Sequence, residues 1–287
     1  MTDARTWIIT GSGRGLGKAL ALAAAESGDR VLATVRQAGS APEHPNVVEH
    51  VLDVRDRAAA RAAVRRAVDE FGRLDVVVNN AGYGLVGMAE EVSEDEARDI
   101  LETNLLGALW LAQAALPVLR GQWSGHLVQV SSVGGAGAVP GFGLYNASKW
   151  GLEGMSEAIA QEVAEFGVRV SIVEPGGMDT EWATGSMRFA APDPGYDGLR
   201  ERMFGTPAVP WGATGTGGGT PPADIAAEII RHVNDPDDRR LRVLAGDDAP
   251  AMVAAAMAGR LADYRQDKRF ADAEPGQEDQ RLARAES

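Results

Sequence analysis

The chain alternates short apolar runs with longer stretches whose apolar residues recur at helical spacing. Residues 6–10 (TWIIT) form a compact apolar run closed by glycines, the mark of a buried strand. Residues 30–35, 47–52, 74–79, 126–131 and 168–173 repeat that pattern, and 241–244 gives a last short run. Between them, 15–27, 55–71, 93–120, 144–166 and 222–233 read as helices, and 249–264 as a final one. Gly28 and Gly72 stop the first two helices, and Ser93 followed by Glu96 predicts a capping box.

The strand runs are continuously apolar rather than alternating, so both faces of their sheet should be covered. Regular strand–helix alternation predicts an α/β fold, a single Rossmann-type doubly wound parallel sheet with helices on both faces. A chain of 287 residues fits one large domain, placed at 1–267. Two segments break the rhythm. Residues 181–221, rich in Gly and Pro, are expected to form an irregular substrate-binding lid. Residues 268–287 are charged and poor in large apolar groups, so a flexible C-terminal tail is expected there.

Composition narrows the function classes. There is no cysteine, which excludes disulfides, thiolate nucleophiles and Cys-ligated zinc and fits a reducing compartment. His44, His50, His126 and His232 show no metal-ligand spacing, so no metal is expected. A net charge of −13 argues against nucleic acid as a partner, because that needs a basic surface. The N-terminal MTDARTWIIT lacks a secretory apolar region, and no run approaches a membrane span; a cytoplasmic protein is expected.

The first strand is followed by TGSGRGLG, with Gly11, Gly15 and Gly17 opening a helix. Glycines there allow a tight turn and close approach of phosphate, while the helix N-terminus supplies N–H donors. Gly11, Ser12, Arg14, Gly15, Leu16 and Gly17 are therefore the candidate phosphate cradle, although glycine turns without ligands are also common. The second strand ends Ala33-Thr34-Val35-Arg36, without the carboxylate that would select NAD through the ribose hydroxyls. Arg14 and Arg36 would suit a 2′-phosphate, so NADP(H) is the expected cofactor.

The chain has 28 basic residues, of which only Lys18, Lys149 and Lys268 are lysines. Lys149 closes the stretch YNASK, four residues after Tyr145, so the two side chains share a helix face. An ammonium beside a phenol is expected to lower the phenol pKa toward working range and make it a general acid or base. Alone, that spacing is also what a surface helix yields by accident. Its weight grows because Ser132, the segment 79–82 (NNAG) and Pro175-Gly176 with Met178 all fall at strand C-termini, the edge where such sheets bind ligands. Asn104 is an awkward residue inside a predicted helix, and a surface position would explain it equally well.

Taken in order, TGSGRGLG, Asp53-Val54, NNAG, Asn104, Ser132, YNASK and PGGMDT resemble the short-chain dehydrogenase/reductase family over roughly residues 5–180. The resemblance is to the branch that includes hydroxysteroid dehydrogenases and carbonyl reductases. It implies that Tyr145 is the acid/base, that Lys149 lowers its pKa and bonds the nicotinamide ribose, and that Ser132 orients a carbonyl. Asn104 would hold a water in a proton relay. Asp53 and Val54 would flank the adenine, Asn80, Ala81 and Gly82 would line the cofactor path, and Thr180 would contact the carboxamide side of the nicotinamide, next to Pro175, Gly176 and Met178. The expected reaction interconverts a ketone or aldehyde and an alcohol. The expected substrate is an apolar small molecule, since 181–221 carries Trp182, Met187, Phe189, Met203, Phe204 and Trp211. A homodimer or homotetramer through the helices at 93–120 and 144–166 is implied as well. The alternatives are a non-catalytic NADP(H)-sensing protein, or an epimerase or dehydratase of the same family.

Overall fold

The computed structural model describes residues 4–179, 186–207 and 218–273. Strand β1 (Thr6–Thr10) leads into α1 (Gly15–Glu26), followed by β2 (Arg30–Val35), β3 (Val47–Val51), α2 (Arg57–Phe71) and β4 (Val76–Asn79). A two-residue strand, β5 (Leu85–Val86), precedes α3 (Glu94–Leu101), a π-helical turn (Glu102–Leu106) and α4 (Gly107–Gln122). Then come β6 (Gly125–Val130), the short α5 (Val133–Ala136), α6 (Gly143–Val163) and β7 (Val168–Pro175). The chain continues through β8 (Arg188–Phe189), α7 (Asp197–Phe204), α8 (Pro222–Asn234), β9 (Arg242–Ala245), α9 (Ala249–Tyr264) and α10 (Lys268–Ala273).

Seven strands make one parallel sheet in the order β3-β2-β1-β4-β6-β7-β9. Residues of β1, β2, β4, β6 and β7 that point to opposite faces enter two separate cores. Trp7, Ile9, Val31, Val78 and Val128 pack against α1 and α8. Ile8, Leu32, Val77, Leu127 and Val170 pack against α2, α4 and α6. Covering both faces is why these strands read as unbroken apolar runs. Strand β3, at the sheet edge, is only half buried. Strand order reverses between β1 and β4, which opens a crevice at their C-terminal ends.

Local signals account for the helix boundaries. Asp56 caps α2, accepting from the amides of Ala58 and Ala59 at 2.8 and 3.0 Å. Gly72 ends it with φ 79°. The capping box of α3 is present, with Ser93 N donating to Glu96 Oε2 at 2.9 Å. The single helix expected over 93–120 is instead α3 and α4 joined by the π turn, which carries Asn104. A π turn adds a residue to one turn and often marks a functional position.

The described part of 181–221 is more regular than expected. Strand β8 pairs in parallel with β5, and α7 follows it. Arg200 anchors this segment: its guanidinium pairs with Glu91 and with Asp197 at 2.7 Å, and donates to the carbonyl of Asp193 at 2.6 Å. Trp182 and Trp211 lie outside the described residues. Within the stretch expected to be a tail, 268–273 form the exposed α10.

Candidate active site

A cleft of about 2210 Å³ runs along the C-terminal edge of the sheet, from the loop after β1 to the N-terminal half of α6. Of the sequence-predicted residues, Gly11, Arg14, Gly15, Leu16, Gly17, Arg36, Asp53, Val54, Asn80, Ala81, Gly82, Ser132, Tyr145, Lys149, Pro175, Gly176 and Met178 all line it. Ser12 and Asn104 lie behind its wall, and Thr180 falls outside the described residues. A smaller open groove of about 670 Å³ between α1 and α8, lined by Ala23, Glu26 and Arg231 among others, holds none of these residues.

At the first end, Gly11 and Gly15 take φ 71° and 51°, values a side chain disfavours. Gly17 packs so tightly that a Cβ would stand 2.5 Å from Asn80 Nδ2 and closer still to the Gly11 carbonyl. Ser12 serves the loop from beneath, its hydroxyl donating to the Ile9 carbonyl at 2.9 Å. Thr10, absent from the sequence reading, ties β1 to the neighbouring segment: its Oγ1 accepts from the amides of Asn80 and Ala81, both at 2.9 Å. Asn80 Nδ2 returns a hydrogen bond to the Thr10 carbonyl at 2.8 Å. Arg14 and Arg36 are exposed and edge the same end of the cleft. Asp53 beside them chelates Arg55 at 2.7 Å, and those hydrogen bonds hold its carboxyl below the usual carboxylate value. The positive-φ glycines, the N-terminus of α1 and the exposed Arg14 and Arg36 form a cradle that could hold a dinucleotide phosphate.

At the other end stands Tyr145, on α6 and 9% exposed, its ring edge-on to Phe142 with centroids 6.2 Å apart. Ser132 hydrogen-bonds its phenol. Lys149, one turn along α6, lies 5.9 Å from the Tyr145 ring centroid and donates from Nζ to the Val130 carbonyl at 2.9 Å. Burial pushes the Tyr145 phenol up to about 12, and the Ser132 hydrogen bond offsets this only in part. Burial likewise lowers Lys149 to about 8, against the opposing charge of Glu153. The direction for the phenol is thus opposite to the expected one, with desolvation as its first cause. Desolvation of a phenolate outweighs an ammonium that is turned toward a backbone carbonyl.

Asn104 is not at the surface. It is 2% exposed, and the π turn aims its side chain at the loop after β4. Its Oδ1 accepts from the Tyr83 amide at 3.0 Å, and its Nδ2 donates to the Tyr83 carbonyl at 2.9 Å and to Ser148 Oγ at 3.1 Å. A Cβ on Gly82 would come within 3.1 Å of Asn104 Oδ1 and 3.7 Å of Lys149 Nζ, so these three positions meet. The sequence reading missed Asn146, which braces the turn after β6 through the carbonyls of Gly134 and Gly137 at 2.9 and 3.3 Å. It missed Asp248 as well, which holds the Gly177 amide at 3.0 Å. It missed the buried carboxyls Glu153 and Glu174. Their common signal was a polar residue inside an apolar helix or strand.

A parallel sheet with a glycine-lined cradle at its switch point, and a tyrosine, serine, lysine and asparagine at the same edge, defines a nucleotide-dependent oxidoreductase of Rossmann type. The family model for short chain dehydrogenase matches residues 5–189, and the chain belongs to that family. It is 43% identical over 190 residues to Oxidoreductase BOA17 of Botryotinia fuckeliana, covering 64% of this chain and 69% of that protein. It is 37% identical over 173 residues to a 3-ketodihydrosphingosine reductase of Bacteroides thetaiotaomicron, covering 60% and 64%. A solved short-chain dehydrogenase from Streptomyces avermitilis superposes with a TM-score of 0.83 at 32% identity, over 94% of this chain and 99% of the other. An alcohol dehydrogenase from Thermococcus sibiricus, solved with 5-hydroxy-NADP, superposes at 0.67 with 25% identity, over 85% and 97%.

Proposed function

We propose that the protein is an NADP(H)-dependent oxidoreductase that interconverts a ketone or aldehyde and an alcohol, with Tyr145 as general acid/base. The observation that carries this reading is the Tyr145 phenol, bonded to Ser132 at the cleft and backed by Lys149 on the same helix face. A phenol kept protonated by burial at the cleft wall is set to give its proton to an oxygen that becomes an alkoxide. Ser132 orients and polarises that oxygen, and Asn104, through its contact with Ser148 and its closeness to Lys149, supports proton supply. The nicotinamide cofactor supplies or accepts the hydride when bound. The exposed pair Arg14 and Arg36, with no carboxylate ending β2, supports NADP(H) over NAD(H). Phe142, Val139, Met187, Trp150 and Met252 along the cleft favour an apolar carbonyl substrate. The similarity to the Bacteroides 3-ketodihydrosphingosine reductase supports the same reading.

We propose 181–221 as the lid of this cleft, a reading supported by Ser186, Met187, Arg188 and Pro221, which line it. We further propose a homodimer or homotetramer built on the helices of 93–120 (α3 and α4) and of 144–166 (α6), which light scattering on the purified protein tests. No helix among the described residues is long and apolar enough to cross a membrane.

NADPH oxidation across a panel of apolar ketones and aldehydes, comparing wild type with Tyr145→Phe, tests the reading. Turnover with one chemical class, lost in the variant, is expected. NADPH binding without turnover on any carbonyl would instead favour the sensor alternative, and product formation without net NADPH consumption would favour an epimerase or dehydratase.

A further inference from the structure

Behind Lys149, away from the cleft, lies a group of charges that the reaction as described does not use. Glu153 follows Lys149 by four residues on α6, so the two share a face of the helix. Its side chain is only 7% exposed. Ser131, the residue next to Ser132, donates its hydroxyl to Glu153 Oε1 at 2.7 Å. Gly135 on α5 leaves the carboxylate its space: a Cβ there would collide with Glu153 Oε1 and stand 2.6 Å from Ser131 Oγ. Gly135 is not among the positive-φ glycines, so packing against Glu153 is what demands glycine.

Arg242 on β9 closes the group from outside. Its Nε lies 3.4 Å from Glu153 Oε2 and 3.1 Å from Glu174 Oε1, and its Nη2 pairs with Glu157. The guanidinium is thus divided among three carboxylates, and its Glu153 contact is the longest. Glu174 is fully buried at the end of β7 with neither carboxyl oxygen hydrogen-bonded. The buried ammonium of Lys149 donates to a neutral carbonyl, and the Glu153 charge favours its protonated form. An isolated buried ammonium is costly and sheds its proton; a nearby carboxylate opposes that.

We propose that Glu153 is a positioning residue for Lys149: it supplies the buried counter-charge one helical turn behind the ammonium, held there by Ser131, Gly135 and Arg242. It touches no reacting atom and acts through the lysine. On its own helix Lys149 faces the Tyr145 ring and the Glu153 charge, while Arg242 from β9, Glu157 from α6 and Glu174 from β7 act on Glu153. Arg260 of α9 is turned away, onto the Trp150 ring and the Ala136 carbonyl. The role in turnover rests on the oxidoreductase reading above; the charge coupling itself does not.

Three lysines in the chain make a direct measurement practical. Protein labelled with nitrogen-15 at lysine gives three side-chain resonances, and Lys149→Arg assigns the one of interest by its loss. The pH midpoint of Lys149 is then read in ligand-free wild type, Glu153→Gln, Glu153→Met and Glu153→Asp. Gln and Met are expected to move the midpoint down by on the order of one pH unit, while Asp, which keeps the charge, stays closer to wild type. Two neutral replacements of different polarity guard against one failing to fold. A midpoint unmoved in the neutral variants, or moved as far by Asp as by Gln, overturns the proposal. In turnover, the alkaline limb of kcat is expected to move down with the midpoint. A moved midpoint with an unmoved limb removes Glu153 from catalysis. Absence of turnover in wild type overturns the oxidoreductase reading and leaves the resonance result standing.

Discussion

Lys149 Nζ donates to the carbonyl oxygen of Val130 at 2.9 Å, tying helix α6 to the last residue of strand β6. That hydrogen bond holds the ammonium at the end of β6, 5.9 Å from the Tyr145 ring centroid. An arginine in its place would need room for a planar fork in a site that is 6% exposed. We expect Lys149→Arg and Tyr145→Phe each to lower kcat by on the order of 10² to 10⁴. Steady-state rates with the best substrate of the carbonyl panel check this. Turnover largely retained in Lys149→Arg would show that any cation suffices.

The adenosine end of the cleft makes a separate demand. Arg14 and Arg36 are exposed there, so their loss should not disturb folding. Each of Arg14→Ala and Arg36→Ala is expected to weaken NADPH binding by ~1.5–3 kcal/mol while leaving NADH nearly unchanged. Fluorescence titration with both cofactors gives the comparison, and equal losses for the two would contradict a 2′-phosphate role.

Gly17 stands where α1 presses on the β1 loop and on Asn80. The atoms a methyl group would meet include the Gly11 backbone carbonyl, which cannot turn aside as a flexible side chain would. We expect Gly17→Ala to cost about 1–3 kcal/mol in stability and to impair dinucleotide binding more than the loss of either arginine. Thermal unfolding and cofactor titration on one preparation separate the two effects.

Glu174 has a consequence for stability. Burial first, then the neighbouring Glu153 charge, raises its carboxyl to about 7 from 4.5, with Arg242 pulling the other way. The folded state therefore holds the proton more tightly than the unfolded chain. This contribution is full below about 4.5 and is lost as pH rises through about 7. Glu174→Gln is expected to remove that loss, with a Tm above wild type at pH 8 on the order of a few degrees and little gain at pH 4. A variant less stable than wild type at pH 8 would show that Arg242 needs this carboxylate.

At the opposite edge of the sheet, His126 Nε2 meets Ser171 Oγ at 2.8 Å, Ser171 meets His232 Nε2 at 2.7 Å, and His232 Nδ1 meets Asp238 at 2.7 Å. All but the last are buried, so this chain of side chains is structural. Burial first, then the Arg169 charge, holds His126 well below 6.5. As pH falls below about 6.5 the unfolded chain takes up a proton that the folded one refuses, so stability declines with acid. His126→Gln should flatten that decline between pH 6.5 and 5 in urea unfolding, whatever its effect at pH 8. A decline as steep as that of wild type would assign it to other groups.

The outline of this protein is written in its sequence because its signals are local. Continuous apolar runs such as 76–79 declared a sheet covered on both faces, and the glycines of TGSGRGLG declared the turn between β1 and α1. Each is set by residues a few positions apart, where backbone sterics and helical or strand periodicity act directly. The YNASK spacing placed Tyr145 and Lys149 on one face for the same reason. Tertiary structure decided what lies on that face and in what charge state. Burial of Tyr145, against the opposing pull of Ser132, raises a phenol that sequence spacing alone would have lowered. The π turn that turned Asn104 inward depends on α6 packing beside it, through Ser148. Glu153, Glu174 and Arg242 come from a helix and two strands, and only the assembled sheet with its covering helix makes them neighbours. Desolvation and Coulomb interaction depend on distances through space, and those exist only once the chain has folded.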